Sequence, residues 1–357
     1  MSVNLATKYS DKLDERYKAG SFTDNYIGTL YNWEGVNAIK VWTVLASDLS
    51  DYSASGANRF SGGSAPSEVD DEAMTYTLTK KRSFAKTFDE TNVQDQLFVK
   101  KANAYLKQMW DEKYIPEIDK HRLTTWANGA AFVTVNGTAL TKSTVCAAIR
   151  GGMEALDNAM VPQENRAIFV TPAIASCLMM SDELKYNQAF TDKAIIKGKV
   201  TEYCGADVIS VPTSRMPAGV EFIIKYKNAS ADPMKLRMLR ANSDAPGIAG
   251  TLMEGLCRYD SFVLAQKAAG IYAYFQSGAC AAVVLDPTDT SNTKLAMTCS
   301  TASSTIKYTD DGTNPKTSST VKTYSAAIAL STLTGKLIRA YAEKSGLVNS
   351  GIEELQL

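Results

Sequence analysis

Few residues in this chain are of types that do chemistry, and their spacing narrows the options further. There is one histidine, His121. A metal site built on two histidines is therefore excluded, and only this residue could act as an imidazole base. It lies in Pro116-Glu-Ile-Asp-Lys-His-Arg-Leu123, two positions after Asp119. Residues i and i+2 do not face each other on a helix, and a His–Asp pair would still need a nucleophile brought in by the fold. His121 therefore reads as a structural histidine. The six cysteines are Cys146, Cys177, Cys204, Cys257, Cys280 and Cys299. None forms a CxxC, and most sit in apolar stretches such as Ala175–Met179, so they read as buried, reduced thiols. Asp182-Glu183 and Asp70 to Glu72 are adjacent acids in polar loops, with nothing beside them to raise a pKa. Phosphate-loop, dinucleotide and nucleophile-elbow patterns are missing, and the glycines from Gly56 to Gly63 read as a loop tip. Asp310-Asp-Gly-Thr-Asn-Pro315 offers oxygen ligands but lacks the distal Glu of a calcium loop, so a β-turn is the better reading. No catalytic residue, cofactor or metal is expected.

Composition points the same way. The 357 residues are 45% hydrophobic and 21% charged, as in an ordinary folded protein of about two domains. Lys plus Arg total 38 and Asp plus Glu total 38. A zero net charge argues against a dedicated nucleic-acid binder, though not against weak contact with DNA over one face. Met1-Ser-Val-Asn-Leu-Ala-Thr-Lys8 lacks the apolar core of a signal peptide, and no run approaches the roughly 18 apolar residues of a membrane span. A soluble protein, intracellular when made, is the expectation.

The elements that must position these residues are α+β. Leu5, Tyr9, Leu13 and Tyr17 recur every fourth residue around a charged run that includes Arg16, predicting a short amphipathic helix from Leu5 to Lys18. It packs on its own domain or docks on a neighbour, since Ser21–Asn32 after it reads as extended with no obvious partner. Asn37–Leu45 and Met74–Lys80 read as strands around a long glycine-rich tip with Gly62 and Gly63, the second continuing towards Phe84 and Phe88. A two-stranded hairpin is marginal alone in water, so it must pack on its own domain or reach another chain. Lys80-Lys-Arg82, with Lys86 nearby, is a basic cluster at its end. It is a solvated strand end or a contact with an acidic patch on another subunit.

Thr91 to Trp126 carries the strongest helical pattern, and Pro116 should kink or break it. Asn128–Gly137 reads as a loop or small hairpin, and Lys142–Met160 as a second helix capped by Thr141. From Pro162, strands at Arg166, Ala206, Val220 and Leu236 alternate with a helix opened by Pro172 and a polar, irregular Asp182–Val200. Leu252–Tyr274 is mainly strand, interrupted near Asp260 and Gly270. After Ala281, Ser and Thr become dense, and short strands follow around Lys294–Cys299, Thr305–Tyr308, Ala327–Leu330 and Lys336–Ala342. That is a small all-β sandwich of immunoglobulin-like size.

This order of elements resembles the major capsid proteins of tailed bacteriophages, which share the Hong Kong 97-type capsid fold. The residues carrying the resemblance are Tyr9-Ser-Asp-Lys-Leu-Asp-Glu-Arg-Tyr-Lys18, Tyr114-Ile-Pro-Glu-Ile-Asp-Lys-His-Arg122, Leu156 to Pro172, and Thr251 to Leu264. Ile306-Lys-Tyr-Thr-Asp-Asp-Gly-Thr-Asn-Pro-Lys316, with Leu337–Ala342 and Gly346, is similar to the β-sandwich appended to chitobiase-like glycosidases, where it carries no catalysis. The resemblance implies an N-terminal arm (1–33), an extended hairpin loop (34–88), a peripheral domain with a spine helix (89–161), an axial domain (162–235), return strands (236–280) and a sandwich (281–357). It implies a virion protein, made in the host cytoplasm, that assembles with itself into pentamers and hexamers of an icosahedral shell. A separate scaffolding protein, a portal and weakly held double-stranded DNA would be its partners, with no membrane involved. Leu13, Arg16, Tyr17, Lys80, Lys81, Arg82 and Lys86 become candidate intersubunit contacts, and Pro116, Gly62 and Gly63 candidate hinges. A hairpin Lys joined to a neighbour by an isopeptide bond is a further, less favoured option. An encapsulin-like compartment stays open as an alternative, as does a sugar-binding or enzymatic protein using the sandwich. For sugar binding, the sandwich offers only the aromatics Tyr308, Tyr324 and Tyr341.

Overall fold

The computed structural model describes residues 20–28, 38–44, 49–61, 65, 68, 71–89, 102–183, 195–196, 199–200, 202–243, 246–247, 249–287 and 293–357. The predicted helix Leu5–Lys18, with Leu13, Arg16 and Tyr17, lies outside the described residues, as do Gly62, Gly63 and the start of the Thr91–Trp126 helix.

A six-stranded mixed sheet organises the centre, in the order Phe132–Val135, Ile271–Phe275, Val220–Tyr226, Arg166–Val170, Ala206–Ser210 and Glu202–Tyr203. All five residues of Arg166–Val170 and of Ile271–Phe275 are buried. Such strands are apolar on both faces because both faces are covered. Successive side chains alternate between the two cores. Phe222 and Ile224 pack with Ile149, Met153 and Leu156 of the helix Val145–Asn158, and with Ile174 and Leu178 of the helix Pro172–Met179. Ile223 points the other way, with Ala273, Phe275 and Phe169, onto Leu123, Trp126 and Ala127 of the long helix. Each fully buried Leu, Ile or Phe contributes about 1.5–3 kcal/mol.

The long helix runs as Ala102–Met109, a widened π turn Trp110–Tyr114, and Ile115–Gly129. The expected disturbance at Pro116 takes this form: Ile115 N–H bonds to the carbonyl of Trp110, five residues back. Proline brings no N–H and its ring crowds the carbonyl four residues earlier, so the turn before it opens.

Four sequence expectations change. Asn128–Gly137 is not merely a loop, because Phe132–Val135 is a strand parallel to Ile271–Phe275. Its partner arrives well over a hundred residues later and leaves no local signal. The second helix starts at Val145, after a turn in which the Thr141 carbonyl accepts the Val145 N–H and the Thr141 N–H donates to Thr144 Oγ1. The second arm of the hairpin ends early. Ala38–Val44 pairs with Asp71–Thr77, but Lys80–Asp89 leaves the hairpin to pair with Gly250–Tyr259, which also pairs with Met234–Asn242. Leu78 is buried, and Thr79 gives its N–H and its hydroxyl to Asp260 Oδ2 at 2.7 and 2.8 Å, which turns the chain. Finally, Ser21–Tyr26 does have a partner, the long helix, through Asp119.

Leu252–Tyr274 resolves into Gly250–Tyr259, Phe262–Val263, the 3-10 turn Gln266–Gly270 and Ile271–Phe275. The C-terminal sandwich has one sheet of Val283–Asp286, Lys294–Cys299 and Ile328–Ala329. The other has Lys322–Thr323, Thr305–Thr309, Leu337–Glu343 and Glu353–Gln356. Leu295, Met297, Ile338 and Ala340 fill the space between them.

Candidate assembly surface

Charged side chains inside the fold fix the N-terminal segment. Asp119 is fully buried and accepts Ser21 Oγ at 2.7 Å, Thr23 Oγ1 at 2.7 Å, Phe22 N–H at 3.1 Å and Arg215 at 2.8 Å. Arg122, one turn along, donates to Thr23 Oγ1 at 2.8 Å and Asp24 Oδ1 at 2.5 Å. Lys225 is buried in the central sheet, and its Nζ donates to the carbonyls of Tyr26 at 2.7 Å and Lys227 at 3.0 Å, 4.4 Å from the Trp126 ring centre. Burial pulls its pKa down to about 8, with Arg122 and Lys227 acting the same way and Asp232 opposing. Sequence reasoning passed over these four charges. The available signal was a Lys in the apolar run Val-Glu-Phe-Ile-Ile-Lys-Tyr226 and an Asp and an Arg on the core-facing stripe of a helix.

His121 is a brace. Its Nε2 donates to Asp260 Oδ1 at 2.9 Å, which also accepts the Ser261 N–H at 2.9 Å, while Oδ2 holds Thr79. Burial pushes the Asp260 pKa up, but hydrogen bonds from His121, Thr79 and Ser261 prevail and hold it at about 2. The pair thus sits at the base of the hairpin with every Asp260 oxygen engaged, and its ring neighbour is Tyr259. Asp119 plays no part in it.

The hairpin base is covered, since Met74, Tyr76 and Leu78 pack with Ala231, Leu264 and Ala265. Further out, its large apolar side chains face solvent: Trp42 is 61% and Phe60 91% exposed, and Val44, Leu49 and Tyr52 are exposed too. Tyr52 and Phe60 stack edge to face at 5.3 Å. These exposed apolar side chains sit on an otherwise polar loop.

Lys80, Lys81, Arg82 and Lys86 lie on the edge strand of the Lys80–Asp89 sheet, not at the hairpin's end as the sequence suggested. Arg82 pairs with Glu117 of the long helix, and Glu117 also accepts the Tyr259 hydroxyl at 3.1 Å. Lys81 and Lys86 are exposed. Lysines on an edge strand discourage indiscriminate strand pairing. A cleft of about 330 Å³ opens beside them, lined by Arg82, Phe84, Met109, Lys113, Tyr114 and Glu117. Its floor is the widened turn before Pro116.

The remaining sequence candidates are engaged internally. Asp310 pairs with Lys322 at 2.7 Å and Lys336 at 3.2 Å, and Asp311 accepts the Thr313 N–H and hydroxyl, so this loop is a braced turn. Tyr308 and Tyr324 pack on the sandwich core and Tyr341 is buried. Glu183 pairs with Arg150 at 2.9 Å. All six cysteines are free thiols: Cys146, Cys257 and Cys280 are buried, while Cys204 is exposed, in a turn at φ 52°, contrary to the buried reading. Among the described residues no group of three His, Cys, Asp or Glu side chains is placed to hold a metal, and no helix is long and apolar enough to cross a membrane.

Comparison with known proteins gives two separate likenesses. Residues 287–353 match the family model of the chitobiase/beta-hexosaminidase C-terminal domain. The fold is similar to a solved structure from Mycobacterium phage Che8 (16% identity, TM-score 0.62), covering 76% of this chain and 97% of that one. It is also similar to the capsid structure of cyanophage P-SCSP1u (14% identity, TM-score 0.61, 76% and 92% covered). The third similar structure is the mature capsid of bacteriophage PhiM1 (10% identity, TM-score 0.61, 76% and 92% covered). No curated protein sequence matches the chain.

Proposed function

We propose that this chain, whose fold is the Hong Kong 97-type phage capsid fold with an appended immunoglobulin-like sandwich, is a major capsid protein that self-assembles into an icosahedral head around double-stranded DNA. The observation that carries the reading, beside the shared fold, is the hairpin: anchored at its base and apolar at its rim, it gains burial only by lying over a neighbouring copy. In this reading residues 1–33 are the arm, 34–88 the hairpin loop, 89–161 the peripheral domain, 162–235 the axial domain, 236–280 the return strands and 281–357 the sandwich. Lys81 and Lys86 are rim contacts that set register more than affinity, joined by Leu13, Arg16 and Tyr17 of the arm. Arg82 is committed to Glu117 within its own chain. Zero net charge limits repulsion among many packed copies. A separate scaffolding protein and a portal guide assembly in the host cytoplasm, and DNA is held by weak, non-specific contact.

The wide turn before Pro116 is the place where the long helix bends if the shell changes shape, with Gly62 and Gly63 serving the hairpin tip. No enzymatic role is proposed. The histidine is tied to Asp260, Tyr308 and Tyr324 pack against the sandwich core, and Tyr341 is buried beside Lys316.

The test is size-exclusion chromatography of the recombinant chain followed by negative-stain electron microscopy. Closed shells or rings of five and six are expected, and Leu49→Ser with Phe60→Ser should abolish them while leaving the thermal unfolding of the subunit in place. A monomer or dimer that persists when a scaffold is supplied overturns the reading.

A further inference from the structure

The long helix ends without the usual closure. Many helices stop at a residue in the left-handed conformation whose N–H folds back onto the last carbonyls. Here Ala130, just past Gly129, has φ −56° and ψ 134°, so no such turn forms and the final carbonyls need other donors. The sandwich supplies one. Lys316, in its braced Asp310–Lys316 loop, donates from Nζ to the carbonyls of Asn128 at 3.1 Å and Ala130 at 2.6 Å, with the Tyr341 ring beside it. The hydrogen bonds and the helix dipole favour the protonated amine there, against burial that pulls its pKa down to about 7. Two positions earlier, the buried Asn314 gives its amide to the Ala265 carbonyl at 2.8 Å.

The end of the sandwich returns to the same place. Ile352 N–H bonds the Ala131 carbonyl at 2.7 Å, alongside the edge strand Phe132–Val135 of the central sheet. Val348 is buried in the same cluster as Trp126 and Phe275, and its backbone closes onto Gly278 at 2.9 Å and Cys280 at 2.8 Å. The approach is close: a side chain at Gly351 would stand 3.0 Å from the Ala131 carbonyl and the Val133 nitrogen. Domains joined by a linker meet over polar, wet surfaces. This junction has an apolar residue in the other domain's core, a buried amide and a lysine amine held by two carbonyls.

We infer that the sandwich is a clamp in cis: it caps the long helix and covers the edge of the central sheet, and the two bodies unfold as one cooperative unit. This does not depend on the capsid reading and holds for the isolated subunit.

Native-state hydrogen exchange on the full chain tests it. Ile338→Ala empties the sandwich core, where Ile338 is fully buried. Protection in Ile271–Phe275 and Val220–Tyr226 should fall by the same factor as in Leu337–Glu343, ~100-fold or more. Loss confined to residues 283–343, with the central sheet unchanged, overturns the inference. Should that variant not fold, Lys316→Gln carries the test: protection should fall ~10-fold in both Ile115–Gly129 and the sandwich strands. Unchanged protection in either element overturns it.

Discussion

Replacing Lys225 by Met should flatten a specific part of the pH dependence of stability. Lys225 is fully buried, and its ammonium is held by two carbonyls and the Trp126 ring, with no carboxylate in direct contact among the described residues. Its pKa is drawn from 10.5 down to about 8 by burial. The unfolded chain therefore binds a proton here between pH 8 and 10.5 that the folded chain has released, so stability rises with pH across that window. Below pH 8 the full cost of burying the charge is present, about 3 kcal/mol at about 1.4 kcal/mol per pKa unit. Between pH 7 and 9.5 the wild type should gain about 2 kcal/mol that Lys225→Met does not. Burial also raises the pKa values of Tyr26, Tyr259, Tyr341 and Cys257, which lowers stability at higher pH. Those contributions occur in both proteins and cancel in the difference. The assay is urea unfolding of the unassembled subunit, followed by tryptophan fluorescence at half-unit pH steps. A difference in unfolding free energy that stays flat, or falls, from pH 7 to 9.5 refutes the reasoning.

Three further outcomes are expected. Asp119→Ala removes the buried carboxylate that accepts Ser21, Phe22, Thr23 and Arg215, so it should cost about 3–5 kcal/mol in urea unfolding and expose the Phe22 amide to exchange. Asp260, with its pKa held near 2 against an ordinary 3.8, contributes stability that is complete above pH 4 and lost as pH falls through 2. Asp260→Asn should lack about 2 kcal/mol of that acid dependence and loosen Thr79, as acid titration of circular dichroism would register. Gly129→Ala sets a helix-propensity gain of about 1 kcal/mol against a Cβ placed 2.4 Å from Val263 Cγ2. Overpacking of about 1–3 kcal/mol should win, and a raised melting temperature would show that Val263 gives way.

The order of the described elements, the appended sandwich, the disturbed helix at Pro116 and the interruptions near Asp260 and Gly270 were all legible in the sequence. Each rests on local physics: period-two or helical patterning, a missing N–H at proline, turn chemistry at Asp310-Asp-Gly312. What surrounds those elements was not legible. Phe132–Val135 is a strand because Ile271–Phe275 lies beside it, and Lys80–Asp89 abandons the hairpin because Gly250–Tyr259 offers a longer pairing. Asp119, Arg215 and Lys225 look like surface charges until the fold brings Ser21–Tyr26 over them. Lys316 looks like part of a surface turn until the end of a helix some 190 residues earlier meets its ammonium. Backbone torsion and side-chain periodicity act over a few residues and so are written along the chain. Hydrogen-bond satisfaction and the burial of charge depend on which segments meet, and only the tertiary structure decides that.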